Sequence, residues 1–159
     1  MDRDGVLNVD RVDYVYRMQE FIIPEGVVES LQALKAAGYL LIVITNQSGI
    51  AKGIYKREDV QLIHNALQEA SGGMLDDLYF CPYHEKYDSA SLTRKPGSLL
   101  IEKAAAKYEV DMIASWMVAT TSATSLRAPA QDCEPSDWPQ QAPKQMRHIW
   151  WTTSGPPPN

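Results

Sequence analysis

The stretch that most limits the fold is Tyr39 to Ile44, the run YLLIVI. Six consecutive apolar residues of strand length, with no polar alternation, predict a strand buried on both faces. At its end stand Thr45-Asn46-Gln47-Ser48-Gly49. Open α/β sheets bind ligands at the C-terminal ends of their strands. The Thr45 hydroxyl, the Asn46 amide and the backbone N–H groups that follow suit phosphate oxygens.

Helices are expected on both sides of this strand. Pro24-Glu25-Gly26 opens the first, with a proline and an acid near its positive end. Val27, Leu31 and Leu34 recur on one face, and Gly38 stops it. Lys56 to Ser71 reads as a second amphipathic helix with Val60, Ile63 and Leu67 inward and His64 partly buried without chemistry. Gly72-Gly73 breaks the chain, Leu78-Tyr79-Phe80 forms a short strand, and Ser98 to about Tyr108 forms another helix with Leu99, Leu100 and Ala104 inward. Trp116-Met117-Val118 begins a further strand.

The first residues hold a second cluster of chemistry, Asp2-Arg3-Asp4-Gly5-Val6-Leu7-Asn8. Side chains at i and i+2 point the same way at a strand end, so Asp2 and Asp4 can share a site. Gly5 lets the backbone turn away. One carboxylate as an anion can attack phosphorus while the other passes a proton. A third piece is Arg94-Lys95-Pro96-Gly97, two cations before a proline.

Together these strings resemble motifs one, two and three of the haloacid dehalogenase (HAD) superfamily phosphatases. The form Asp-Arg-Asp-Gly-Val-Leu-Asn and the continuation Ile50-Ala51-Lys52-Gly53 point to one branch. That branch contains the heptose bisphosphate phosphatases and the histidinol-phosphate phosphatases. The resemblance runs from Asp2 to about Val118 and implies an α/β fold, a three-layer sandwich around a parallel, Rossmann-like sheet with a minimal cap. It implies Mg²⁺-dependent phosphomonoester hydrolysis: Asp2 as nucleophile, Asp4 as acid and base, Thr45 and Lys95 stabilising phosphoryl charge. Lys95 would also keep Asp2 in its anionic form. Mg²⁺ would bind Asp2 and the backbone carbonyl of Asp4. Asn8, Asp10, Tyr14, Asn46, Gln47, Ser48 and Arg94 are the expected substrate contacts. Asn8 to Phe21 would cross the top of the sheet, with Tyr14 and Tyr16 beside Arg17 lining a sugar pocket or packing as a surface loop. The favoured substrate is a heptose 1,7-bisphosphate, with histidinol phosphate second; the competing reading is an inactive relic that at most binds phosphate, which the missing acid and missing strand favour for the chain as translated.

Two expected features are missing. Cys81-Pro82-Tyr83-His84 is half of a tetrahedral zinc site. Many family members carry Cys-x-Cys before the Arg-Lys-Pro string, where this chain has Ser91-Leu92-Thr93. Zinc is therefore not expected on Cys81 and His84. The acidic fourth motif, which completes the Mg²⁺ shell, is also absent: Ala119 to Ser125 holds no carboxylate. Seven of the ten prolines and three of the four tryptophans fall after Val118, so composition changes there. A reading-frame shift near Val118 accounts for both, because with permitted synonymous codons Val118 to Ser125 then reads Gly-Asp-Asp-x-x-Asp-Leu. The expected division is thus a core over 1–118 and an aberrant tail over 119–159. The core lacks most of its first strand, as though translation were taken to start too late, and Asp2 is left without rigid support.

Bulk properties exclude other classes. The chain has 159 residues, one domain's worth, and a net charge of −5 with no basic cluster, which argues against a nucleic-acid partner. It has no apolar run of membrane-spanning length and no signal-peptide pattern. Two cysteines are too few for a disulfide framework. A cytoplasmic monomer acting on a small phosphorylated sugar is the expectation.

Overall fold

The computed structural model describes residues 1–119. A 3-10 turn at Met18–Glu20 precedes α1 (Val27–Ala36), β1 (Ile42–Asn46), α2 (Arg57–Ala70), β2 (Asp77–Cys81) and α3 (Leu99–Tyr108). The expected fourth motif and the reading-frame argument fall on the tail outside the described residues.

β1 and β2 are parallel, with Ile42 opposite Asp77, Ile44 opposite Tyr79 and Asn46 opposite Cys81. Parallel neighbours need a crossover, and α2 supplies it. Alternate residues of a strand face opposite ways, and this separates two cores. Val43 packs with Val27, Leu31 and Leu34 of α1 and Leu67 of α2. Ile42, Ile44, Tyr79 and Cys81 pack with Leu100 and Ile101 of α3. The sheet therefore lies between α1 and α2 on one face and α3 on the other, the three-layer α/β arrangement.

Helix ends follow from local chemistry. Gly38, at φ 86°, lets its N–H reach Lys35 O while Tyr39 N–H reaches Leu34 O, which closes α1 in a Schellman motif. Gly72 ends α2 the same way, with Gly73 N–H on Gln68 O. The Asp59 carboxylate accepts the Lys56 N–H at 2.8 Å and caps α2. The inward faces match the expected periodicity, Leu99 alone being only half-buried.

Boundaries shift where side chains intervene. The strand expected over Tyr39–Ile44 is Ile42–Asn46. Tyr39 is taken by the closure of α1, and Leu40 is 47% exposed. Leu41 is pinned by Asp76, whose Oδ2 accepts its N–H at 2.7 Å and whose N–H donates to its carbonyl. α1 begins at Val27, since Gly26 is left-handed at φ 84°.

Met1 lies alongside β1. The Met1 nitrogen donates to Ile42 O at 2.8 Å and Ile44 N–H donates to Met1 O at 2.9 Å, the pattern of a parallel partner. Asp2 N–H then donates to Val118 O at 2.8 Å on the far side. Asp2 is thus held between β1 and Val118 and is 4% exposed. The expectation that it lacks rigid support is corrected by these three bonds. Among the described residues no strand follows β2; Trp116-Met117-Val118, where a strand is expected, forms no ladder, and Val118 packs against the core and lends its carbonyl to Asp2. No helix among the described residues is long and apolar enough to cross a membrane.

Candidate active site

Three chain segments meet at the C-terminal end of β1: Asp2–Asn8, Thr45–Gly49 and Arg94–Gly97. Their centre is an ion pair, Lys95 Nζ 2.5 Å from Asp2 Oδ2, with both side chains almost wholly buried. Asp2 Oδ1 accepts the Arg3 N–H at 2.8 Å. The Asn46 side chain fixes Lys95 from behind: its Oδ1 accepts the Lys95 N–H at 3.0 Å and its Nδ2 donates to the Lys95 carbonyl at 3.2 Å. Asn46, expected on phosphate, therefore grips the backbone that carries the cation. Breaking such a buried pair strands an uncompensated charge, at a cost of about 3–5 kcal/mol.

Asp4 has a different surrounding. Arg3, with no exposure, binds it in a fork, Nε to Oδ1 at 3.1 Å and Nη2 to both oxygens at 2.7 and 3.0 Å. Asn8 Nδ2 donates to Oδ1 at 3.1 Å and Gln47 Nε2 to Oδ2 at 2.8 Å. Gln47 also donates to the Oγ1 of the buried Thr45 at 3.1 Å. Asn8 and Gln47, both expected on substrate, spend their amides on Asp4.

The loop from Val9 to Phe21 covers this floor. Tyr14 is held at φ 70°, a left-handed conformation that costs a non-glycine residue about 1–3 kcal/mol and clusters at functional sites. Burial raises the Tyr14 phenol, but hydrogen bonds to Lys52 and Ser48 outweigh it and leave the group below its ordinary value. Lys52 Nζ lies 5.2 Å from the Tyr14 ring centre and 5.1 Å from that of Tyr87. Tyr16 stacks on Tyr55 at 5.1 Å, and the Arg17 guanidinium lies over the Tyr16 ring at 4.8 Å. The Asp10 carboxyl is raised, first by desolvation and further by Asp4 and Asp2, which puts it in electrostatic reach of both. Arg94 donates to Tyr83 O at 3.3 Å at the exposed edge.

Arg3, Lys52 and Tyr55 are given no role by the sequence, and His64 is expected there as a partly buried residue without chemistry. His64 is 1% exposed, edge-on to Phe80 at 5.8 Å, and burial pushes its imidazole down to about 4. Arginine between two aspartates carries a signal in hindsight, since it can fork onto either.

Among the described residues no group of three His, Cys, Asp or Glu side chains could hold a metal. The Asp2 carboxylate still keeps lone pairs beyond Arg3 and Lys95. An oxygen donor of this kind fits Mg²⁺, which binds through one or two carboxylates and keeps waters or phosphate oxygens. Cys81 is fully buried, and its sulfur accepts the Thr93 hydroxyl at 3.1 Å, while Thr93 and Ser91 hydroxyls lie 2.7 Å apart. His84 Nδ1 accepts the Lys86 N–H at 3.2 Å.

No family model matches the chain. It is 36% identical over 126 residues to the D-glycero-beta-D-manno-heptose-1,7-bisphosphate 7-phosphatase of Photorhabdus laumondii, covering 74% of this chain and 66% of that protein. It is 36% identical to the Haemophilus ducreyi protein of the same name, covering 69% of it, and 33% identical over 138 residues to that of Pseudomonas aeruginosa, covering 76% of it. The chain thus spans about two thirds of the length of these relatives. Among solved structures, the D,D-heptose 1,7-bisphosphate phosphatase of B. bronchiseptica, complexed with magnesium and phosphate, matches at 31% identity and a TM-score of 0.64 over 70% of this chain and 63% of that one. A Mesorhizobium loti protein described as a HAD-like phosphatase matches at 28% identity and the same TM-score over 70% of this chain and 56% of that one. The chain belongs to the heptose-1,7-bisphosphate 7-phosphatase family of HAD-like phosphatases.

Proposed function

We propose that the chain hydrolyses a phosphomonoester through an aspartyl-phosphate on Asp2, the substrate being the 7-phosphate of D-glycero-D-manno-heptose 1,7-bisphosphate. The observation that carries this reading is the buried Asp2–Lys95 pair with a second carboxylate, Asp4, held two residues on. An Asp2 oxygen attacks phosphorus and the sugar oxygen leaves, taking a proton from Asp4. Asp4 then draws a proton from the water that cleaves the acyl phosphate. Thr45 Oγ1 and Lys95 Nζ lie where charge builds on the phosphoryl oxygens. Magnesium, when bound, would be held by the Asp2 carboxylate and the Asp4 backbone carbonyl and would neutralise phosphate charge. Tyr14 and Tyr16 offer a sugar two aromatic rings, and Arg94 offers its far phosphate a cation. The names of the relatives support the substrate.

The protein acts in this reading as a cytoplasmic monomer. Cys81 and His84 carry no structural zinc in this reading, since Ser91-Leu92-Thr93 offers neither of the two further thiolates a tetrahedral site needs. With no carboxylate over 119–125, turnover falls about 10²–10³ below that of a site with its full acid set. The test is phosphate release with Mg²⁺ from the heptose bisphosphate and from histidinol phosphate, before and after one base is inserted near the Val118 codon. Release from the heptose ester, raised by the insertion and abolished by Asp2→Asn, is expected. Preference for histidinol phosphate would overturn the substrate. No release from either after repair would overturn the reaction.

A further inference from the structure

Tyr55 stands outside every motif, yet it joins the loop to the floor. It is 5% exposed, and its ring lies so close to Gly49 that a Cβ there would sit 2.0 Å from it. Its hydroxyl donates to Gln47 Oε1 at 2.8 Å. The other end of that amide donates to Asp4 Oδ2 and Thr45 Oγ1. Both functions of the Gln47 amide are therefore used, in a side chain 2% exposed. Turned over, the amide would set its oxygen against the Asp4 carboxylate and its NH₂ against the phenol. Backbone bonding fixes where Gln47 sits, through its N–H on Cys81 O at 2.7 Å, but not which way its amide faces. The Tyr55 ring meanwhile carries Tyr16 stacked at 5.1 Å and Tyr14 edge-on at 5.8 Å.

We propose that Tyr55 is a positioning residue: its hydroxyl fixes the orientation of the Gln47 amide, and so the placement of Asp4, from beneath the aromatic loop. A donor is needed at Gln47 Oε1, and a neutral phenol supplies it. Burial raises the Tyr55 phenol far above its ordinary value, so it keeps its proton at any working pH. The role of Asp4 in turnover rests on the hydrolase reading; the amide orientation does not.

Tyr55→Phe is the test, because it keeps the ring and deletes only the donor. Hydrogen exchange of the Gln47 side-chain NH₂, followed by NMR, should quicken about tenfold, the worth of one hydrogen bond. With heptose bisphosphate and Mg²⁺, kcat should fall about tenfold while KM stays. In a Gln47→Leu background the same change should cost nothing more, since the relay is already cut. Unchanged exchange, a kcat loss without it, or additive losses in the double variant would each overturn the proposal. If the unmodified protein turns over no sugar phosphate, the hydrolase reading fails and amide exchange alone decides Tyr55. If Tyr55→Phe does not fold, the unmodified protein decides: an NH₂ pair exchanging as fast as a free amide overturns the proposal, and a protected pair supports it.

Discussion

Asp2, Thr45 and Lys95 are each no more than 4% exposed, whereas Asp10, Val12 and Arg17 in the loop above them stand largely in solvent. The floor is tied by charge, as in the fork of Arg3 on the Asp4 carboxylate, and by side chains that bond backbone, as Asn46 does to Lys95. The rim is tied by rings, Tyr16 on Tyr55 and Tyr14 across it, with Lys52 and Arg17 over their faces. Charge pairs in a dry site are strong, short-ranged and intolerant of a lost partner. Ring contacts are weaker and adjust. Reaction should therefore depend on the floor, and affinity on the rim.

The largest effect expected is that of Asp2→Asn. On the proposed mechanism it removes the attacking oxygen, and it leaves Lys95 buried without its counter-charge, so phosphate release should fall on the order of 10⁴-fold or more. Steady-state release with magnesium checks this, and a loss under tenfold would place the nucleophile elsewhere. Lys95→Met comes next. The apolar stem is kept and the ammonium goes, so kcat should fall about 10²–10³-fold. An increase in KM alone would move Lys95 from the floor to the rim.

Below the floor, His64 tests how dry that region is. Burial pushes its imidazole down to about 4, with Arg3 adding and Asp4 opposing. The folded form is neutral, and the unfolded chain takes a proton near 6.5. This contribution to stability is whole above pH 6.5 and is lost as pH falls towards 4, by roughly 3 kcal/mol at 1.36 kcal/mol per pH unit. Denaturant unfolding of His64→Gln should lose less between pH 7 and pH 4 than the unmodified protein does. Equal losses would show that acid acts elsewhere.

The same contrast explains what the sequence could reveal. That Asp2, Thr45 and Lys95 would stand together was legible, because each lies in a short string of a recognisable chemistry. α1, α2 and β2 were legible from apolar spacing. Tyr55 was not, since it takes its place only through Gln47 and the loop rings Tyr14 and Tyr16. Asn46 and Gln47 are expected on the substrate, and here their amides bond Lys95 and, for Gln47, Asp4 and Tyr55; a string shows that an amide is present, not which neighbour takes it. β1 slid by a few residues because the Asp76 side chain, beyond any local pattern, claims Leu41. The support of Asp2 was hidden for a like reason, since it depends on Ile42, Ile44 and Val118.

Tyr16 should give the smallest change and the sharpest test of the division. Its ring stacks on Tyr55 with planes 17° apart and carries Arg17 at 4.8 Å. An aromatic pair contributes about 0.5–1.5 kcal/mol beyond its buried area, and an exposed cation–π contact about 0.5–1 kcal/mol. Tyr16→Leu keeps apolar bulk but loses both, so the loop should sample other positions before substrate arrives. That cost is met on binding, and KM for heptose bisphosphate should rise roughly threefold to tenfold. The Tyr55 ring still sits against Gly49 and its hydroxyl still faces Gln47, so Asp4 keeps its donors and kcat should hold. A fall in kcat with unchanged KM would mean that the stack, and not only the hydroxyl, sets the acid. Rim and floor would then be one unit rather than two.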